Sequence, residues 1–166
     1  QVFGYELLYR AAAADVACTE TAGSVSARVI ADALLGIGFE TLTDGRRAFI
    51  NLDMQTLLAD ASGLLDPEQV VLEILESVAI TPAVVEVCTS LRERGYAIAL
   101  DDFVPGSAAE ALVPLARFVK LDVLSLAPDE LVPTTTRLLS AGVSVVAEKV
   151  ETAEVFERAR AAGCSL

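Results

Sequence analysis

Short apolar runs alternate with longer amphipathic stretches along the whole chain. Apolar runs of about four to eight residues bounded by polar residues are typical of buried strands. Apolar positions that recur every three or four residues are typical of helices that face a core. Alternation of the two patterns predicts βα units and a parallel sheet, which places the chain in the α/β class.

The predicted strands and helices follow each other in strict order. The predicted strands cover residues 3–9, 48–52, 70–75, 96–101, 118–122 and 143–148. Helices are predicted over residues 24–38, 54–61, 82–94, 107–116, 128–141 and 152–162, with a loop over residues 11–23. A closed eight-stranded barrel usually needs about 250 residues. The pattern therefore predicts either an open α/β sheet or a barrel that lacks elements at its ends.

Polar side chains lie at or just beyond the C-terminal ends of these strands. They are Glu6, Asn51, Glu73, Asp101, Asp102, Lys120, Asp122 and Glu148. Asp101 and Asp102 directly follow an apolar run, and two charges at the tip of a buried strand must be compensated because desolvating an ion costs several kcal/mol. A divalent cation compensates them directly. Since active sites of α/β barrels lie at this end of the strands, we expect one shared site.

The composition narrows the chemistry available to such a site. The chain has 166 residues, a net charge of −12 and no histidine. An acidic balance of this size provides no electrostatic footprint for a nucleic-acid polymer. The lack of imidazole excludes Ser-His-Asp and Cys-His catalysis. Oxygen ligands alone favour Mg²⁺, Mn²⁺ or Ca²⁺ over zinc.

Two chemistries fit a cluster of carboxylates with one lysine. Two hard metal ions suit in-line displacement at phosphorus, with Lys120 positioning a water or balancing charge on the substrate. Mg²⁺ with a lysine base at barrel strand ends also enolises carboxylate substrates. The residue types by themselves leave both chemistries open.

Cysteine usage and hydropathy bear on the location of the domain. Cys18, Cys88 and Cys164 are far apart and odd in number, which favours buried, reduced thiols. No apolar run approaches the ~18 residues of a membrane span, and no signal peptide is visible. We expect a cytoplasmic domain that makes no membrane contact of its own.

Six strand ends carry motifs that occur in a fixed order. They are Tyr5-Glu6-Leu7-Leu8-Tyr9-Arg10, Phe49-Ile50-Asn51-Leu52, Leu72-Glu73-Ile74-Leu75-Glu76-Ser77, Leu100-Asp101-Asp102-Phe103, Val119-Lys120-Leu121-Asp122 and Val146-Ala147-Glu148-Lys149-Val150-Glu151-Thr152. Together they resemble the motifs of the EAL family, the phosphodiesterase domain of bacterial cyclic diguanylate (c-di-GMP) signalling. The resemblance implies a modified TIM (β/α)8 barrel that hydrolyses c-di-GMP to linear pGpG.

The resemblance also implies roles for individual residues. The metal ligands, for one or two Mg²⁺ or Mn²⁺ ions, would be Glu6, Asn51, Glu73 and Asp101, with Asp102 at the second metal. Catalysis would involve Asp102, Lys120 in contact with the attacking water, and Glu148 as metal ligand or base. The substrate would be held by Arg10, on a phosphate, and by Asp122. Neighbouring loops would be anchored by Glu76 and Glu151.

The chain departs from the family pattern after Asp102. Active members continue with a Gly-Thr-Gly-Tyr-Ser-Ser type loop that supports the second metal and a dimer contact, whereas this chain reads Val104-Pro105-Gly106-Ser107-Ala108-Ala109. Pro105 has a fixed φ and no N–H, so the loop cannot make the same hydrogen bonds. The substitution favours weak or absent turnover over full activity.

The resemblance also bears on domain organisation and partners. The terminal strands that close the family's barrel fall outside residues 1–166, so we expect a single EAL-type domain truncated at both ends relative to the family. The opening motif and the altered loop are similar to the branch in which an EAL domain precedes an HDOD domain, so an HDOD or other signalling domain and a homodimer are possible partners. A non-catalytic c-di-GMP receptor, a protein-interaction module and a Mg²⁺ carbon-acid enzyme remain alternatives.

Overall fold

The computed structural model describes residues 2–8, 39–58, 65–127 and 129–165. Its strands are β1 (Gly4–Glu6), β2 (Arg47–Leu52), β3 (Val70–Ile74), β4 (Ala97–Leu100), β5 (Phe118–Asp122) and β6 (Ser144–Glu148). Its α-helices are α1 (Phe39–Thr43), α2 (Met54–Leu58), α3 (Pro82–Glu93), α4 (Leu131–Ser140) and α5 (Ala153–Ala161), and a 3₁₀ helix covers Ala108–Leu115.

All six strands form one parallel sheet whose spatial order equals their order in the chain. Each strand therefore lies beside the one before it, as in a βα barrel, and the sheet does not reverse direction from a central strand as doubly wound sheets do. The sheet is curled into a half-barrel that lacks closing strands within the described residues. This confirms the predicted α/β class and favours the incomplete barrel over the open sheet.

Alternation along the strands separates two apolar layers. On one face, Ile50, Leu72 and Leu121 pack with helix residues such as Val84 and Leu138 in the main core. On the other face, a smaller cluster of Val71, Ala99 and Phe118 packs with neighbours that include Phe49 and Val146. Because successive side chains point to opposite faces, polar residues two positions beyond this small cluster lie on its face.

Most predicted boundaries are shifted by only a few residues. Thr81 and Thr152 cap α3 and α5, since their hydroxyl oxygens accept from the backbone N–H of Val84 at 3.3 Å and of Val155 at 3.2 Å. The predicted strand over residues 3–9 is only three residues long, and the one-turn helix α1 was not predicted, because five residues show no periodicity. The predicted loop over residues 11–23 and helix over residues 24–38 lie outside the described residues.

The helix predicted over residues 107–116 is a 3₁₀ helix over Ala108–Leu115. Pro114 lies inside it. The proline lacks the N–H that would bond to the carbonyl four residues earlier, and its ring crowds that carbonyl. The segment has the tighter 3₁₀ winding, which is used in short pieces of this kind.

Two of the three cysteines fall in the described residues. Cys88 and Cys164 are buried and free, as expected for reduced thiols, while Cys18 lies outside the described part of the chain. Burial raises the pKa of the Cys88 thiol to about 11. Within the described ranges, no helix has the length and apolar character needed to cross a membrane.

Candidate active site at the carboxyl end of the sheet

The ammonium of Lys120 lies among four carboxylates. Its Nζ is 2.6 Å from Asp101 Oδ1, 2.9 Å from Glu148 Oε1, 3.0 Å from Glu73 Oε1 and 3.5 Å from Glu6 Oε2. We call these five residues the inner cluster. The structure thus brings together side chains from five strands or strand ends that the sequence predicted to share one site.

The sheet explains how the inner cluster forms. Glu73 and Lys120 are two residues beyond Val71 and Phe118 of the small apolar layer, so their side chains lie on the same face. Glu6 ends β1, Asp101 directly follows β4, and Glu148 ends β6. The site therefore sits above the small apolar layer, at the carboxyl end of the parallel strands.

Asn51 joins this group from β2. It is paired with Glu73 in the register of β2 and β3, and its Nδ2 donates to Glu6 Oε1 at 3.1 Å. Asn51 Oδ1 and both oxygens of Glu73 are buried and accept no hydrogen bond from the described residues, although Glu73 Oε1 is within ion-pair distance of Lys120. Buried oxygen acceptors without donors are costly, and these belong to residues that are neighbours in the register of β2 and β3.

The inner cluster contains more negative than positive charge. Burial, acting against the attraction of Lys120, raises the pKa of Glu73 to about 7. Burial also raises the pKa of Glu148 above its usual range. For Lys120, burial alone would lower the pKa, but the Glu73 charge and the hydrogen bonds with Asp101 and Glu148 together raise it, so the ammonium stays charged.

A second group, the outer cluster, consists of Asp102, Asp122 and Lys149. Lys149 Nζ is 2.6 Å from Asp122 Oδ2 and 3.5 Å from Asp102 Oδ1. The hydrogen bond from Lys149, with a second one from Ser125, lowers the pKa of Asp122 to about 2. Asp102 and Asp122, predicted to share the strand-end site, therefore contact Lys149 and make no ion pair with Lys120.

Backbone conformation separates the two clusters. Asp102 has φ +39° and Lys149 has φ +57°, both in the left-handed region that non-glycine residues rarely adopt. Each follows an inner-cluster residue, Asp101 or Glu148. Asp101 and Glu148 thus contact Lys120, whereas the residues that directly follow them, Asp102 and Lys149, belong to the outer cluster. The chain has only two lysines, Lys120 and Lys149, and both lie in this site.

The loop after Asp102 is held by residues that the sequence analysis did not single out. The N–H of Gly106 donates to Glu110 Oε1 at 3.1 Å. Arg137 of α4 binds both oxygens of Glu110, with Nη1 and Nη2 each at 2.8 Å. No sequence signal pointed to the pairing of Glu110 with Arg137, because the two residues are 27 positions apart.

The remaining candidates are not brought into either cluster. Glu76 is exposed and lines a cavity of about 300 Å³ with Asp102 and Val104, but it makes no ion pair with any described residue. Glu151 is likewise exposed. Arg10 lies outside the described residues. The loop-anchoring roles of Glu76 and Glu151 and the phosphate-binding role of Arg10 stay predictions.

The carboxylate and amide oxygens suit a hard divalent cation. In this structure the ammonium of Lys120 occupies the centre of the inner cluster. Within the described ranges, no three acidic or thiol side chains are arranged as they stand to hold a metal ion. Asn51 Oδ1 and the Glu73 oxygens, which accept no hydrogen bond from the described residues, and the surplus of carboxylates nevertheless fit a metal with oxygen ligands. The individual ligand assignments stay predictions.

Comparison with known proteins gives consistent matches. The family model for the EAL domain matches residues 40–166. The cyclic di-GMP phosphodiesterase CdgJ of Vibrio cholerae is 35% identical over 164 residues, which are 96% of this chain and 38% of CdgJ. YuxH of Bacillus subtilis is 32% identical over 164 residues, which are 96% of this chain and 40% of YuxH. The chain thus spans about two fifths of the length of these relatives.

Solved structures share the fold. The Bacillus subtilis YkuI protein, which has an EAL domain and was solved with c-di-GMP and calcium, superposes with a TM-score of 0.69 at 21% identity, over 85% of this chain and 39% of YkuI. This likeness supports the incomplete barrel described above. Because the family model covers most of the residues, we conclude that the chain belongs to the EAL domain family.

Proposed function

We propose that this domain is a c-di-GMP signalling domain of the EAL phosphodiesterase type, which hydrolyses c-di-GMP to linear pGpG with one or two Mg²⁺ or Mn²⁺ ions. The observation that carries the proposal is the inner cluster, in which four carboxylates meet a single ammonium. The similarity to CdgJ, a cyclic di-GMP phosphodiesterase, and to YkuI, which binds c-di-GMP and calcium, supports the same substrate and a divalent metal.

The residues fit a divalent cation for a physical reason. Glu73 is fully buried, and neither of its oxygens accepts a hydrogen bond from the described residues. A cation held by Glu6, Asn51, Glu73 and Asp101 would satisfy these acceptors and offset the surplus negative charge. The same cation would let an acidic domain hold a doubly anionic ligand.

Hydrolysis joins the oxygen of a water to phosphorus, breaks the bond from phosphorus to a ribose oxygen, and transfers the proton of the water to that oxygen. Bound divalent cations neutralise phosphate oxygens and lower the pKa of water. We assign Lys120 to positioning the water and Glu148, which is partly exposed, to binding metal or accepting the proton. Asp102 would act at a second metal, while Arg10 and Asp122 would hold the substrate.

A second candidate function is a c-di-GMP receptor without turnover. The observation in its favour is the loop over residues 104–106, where Pro105 provides no N–H and Glu110, not Glu76, accepts the hydrogen bond from Gly106. The loop that would support Asp102 therefore differs from that of active members. The same difference is our reason for proposing weak turnover in the phosphodiesterase.

The test is incubation of the protein with c-di-GMP and Mg²⁺ or Mn²⁺, with chromatography to detect pGpG and calorimetry to measure binding. Slow production of pGpG that is lost in Glu6→Gln supports the phosphodiesterase. Binding without any pGpG supports the receptor, and the absence of both contradicts the family function for this chain. Glu157→Gln, on the exposed surface of α5, is the control that removes one carboxylate outside the site.

We also propose a cytoplasmic location, which the free, buried thiols of Cys88 and Cys164 support. An attached HDOD or other signalling domain and a homodimer remain part of the proposal. A pull-down of the complete protein and its mass in solution test these two partners.

A further inference from the structure

Lys149 places a positive charge between Asp102, which the proposed function assigns to a second metal, and Asp122, which it assigns to the substrate. Its Nζ hydrogen-bonds Asp122 Oδ2 at 2.6 Å and lies 3.5 Å from Asp102 Oδ1. One ammonium therefore joins the carboxyl ends of β4, β5 and β6. Removing it would leave two carboxylates at the rim of the site with no cation between them.

The remaining contacts of Asp122 keep its carboxylate in this position. Asp122 Oδ1 accepts from the backbone N–H of Leu124 at 2.9 Å and of Ser125 at 3.3 Å, and Oδ2 accepts from Ser125 Oγ at 2.6 Å. Asp122 is thus fixed before any ligand arrives. Lys149 reaches it from a left-handed backbone, a conformation that favours glycine, so the lysine is held here despite local strain.

We propose that Lys149 is a built-in cation that takes the place of a divalent metal at Asp102, so that this chain loads metal only at the inner cluster. The inference rests on the proposed function, which places the first metal at the inner cluster and a second at Asp102. Lys149 is a positioning residue in this account, since it acts on the two carboxylates and not on the substrate. Its presence gives a physical reason for weak turnover that is independent of the Pro105 loop.

The test is a titration of the protein with Mn²⁺, in which electron paramagnetic resonance measures the free ion. We expect one tightly bound Mn²⁺ per chain in the wild type. Lys149→Met, which keeps the length of the side chain and removes its charge, should bind a second Mn²⁺ at least tenfold more tightly than the wild type does. Lys149→Gly should also bind a second Mn²⁺ more tightly, and it removes the backbone strain as well. Lys149→Arg keeps the charge and should bind one Mn²⁺, as the wild type does.

The control is Arg160→Met, which removes one positive charge from an exposed ion pair on α5. A second Mn²⁺ in this variant would show a general charge effect and overturn the inference. If the wild type and Lys149→Met each bind one Mn²⁺, the inference is overturned and the proposed function stands. The same conclusion follows if the wild type binds two Mn²⁺. A wild type that binds no Mn²⁺ overturns both the inference and the proposed metal dependence, whatever Lys149→Met binds.

Discussion

Lys120 places its ammonium 3.0 Å from Oε1 of Glu73, a carboxylate with no exposed surface. A fully buried carboxylate is costly without a cation beside it, and Lys120 provides that cation. Their pairing also sets the charge balance of the site, because Asp101 and Glu148 contact the same ammonium. The first two predictions follow from this contact.

Replacing Lys120 with Met should destabilise the metal-free protein by about 3 to 5 kcal/mol at pH 8, the usual cost of leaving buried charges without their partner. Chemical denaturation in the presence of a chelator measures the change. The loss should be smaller at pH 5, where Glu73 is protonated and fewer charges need compensation. Arg160→Met is the matched control, and equal effects of the two substitutions would show that Lys120 does not hold the inner cluster together.

Replacing Glu73 with Gln should stabilise the metal-free protein at pH 8. Because the pKa of Glu73 is raised from 4.5 to about 7, the folded state binds a proton more tightly than the unfolded state, so its ionisation reduces stability as pH rises through this window. The gain should reach at most about 3 kcal/mol above pH 7 and vanish near pH 4.5.

Unfolding curves of the wild type and Glu73→Gln between pH 4.5 and pH 8 would show this difference. Glu86→Gln, on the exposed face of α3, serves as the control. A constant difference between wild type and Glu73→Gln over the whole pH range would contradict the assignment. Glu73→Gln should also weaken Mn²⁺ binding, since the same carboxylate is a proposed ligand.

Replacing Gly106 with Ala should test the loop after Asp102. Gly106 has φ +78° and an added Cβ would meet no atom within 4 Å, so the cost comes from the backbone alone and should be about 1 kcal/mol. Gly45 has φ +68° and equally open surroundings in a turn before β2. Gly45→Ala should therefore cost the same stability.

Only Gly106→Ala should also weaken c-di-GMP binding, because Gly106 donates to Glu110 beside the cavity that Val104 and Asp102 line. Calorimetry with the nucleotide and thermal unfolding of both variants provide the two readouts. Equal nucleotide affinity in the two variants would mean that this loop does not contribute to ligand binding.

The part of the site that the sequence predicted is the part that strand geometry dictates. Glu73 lies two residues after Val71, and Lys120 lies two residues after Phe118. The alternation that buries Val71 and Phe118 on one face of the sheet therefore places the two charged side chains on the same face. Parallel pairing then brings the strand ends to one edge. The inner cluster could be predicted without coordinates for this reason, and so could the α/β class.

The outer cluster could not be predicted in the same way. Asp102 and Lys149 lie just beyond strands, where φ is free to change sign, and both adopt a left-handed backbone. Reading Asp101 and Asp102 as one acidic pair therefore missed that they contact different lysines. The role of Glu110 was missed because it depends on Arg137, which only the packing of α4 brings close.

The presence of both lysines in this site has a practical consequence. A reagent that modifies primary amines on side chains has only Lys120 and Lys149 as targets in this sequence, and Lys149 is far more accessible than the buried Lys120. A fluorophore coupled through such a reagent would be attached at the rim of the site without any engineered cysteine. Coupling by acylation would also remove the charge that Lys149 places beside Asp102 and Asp122.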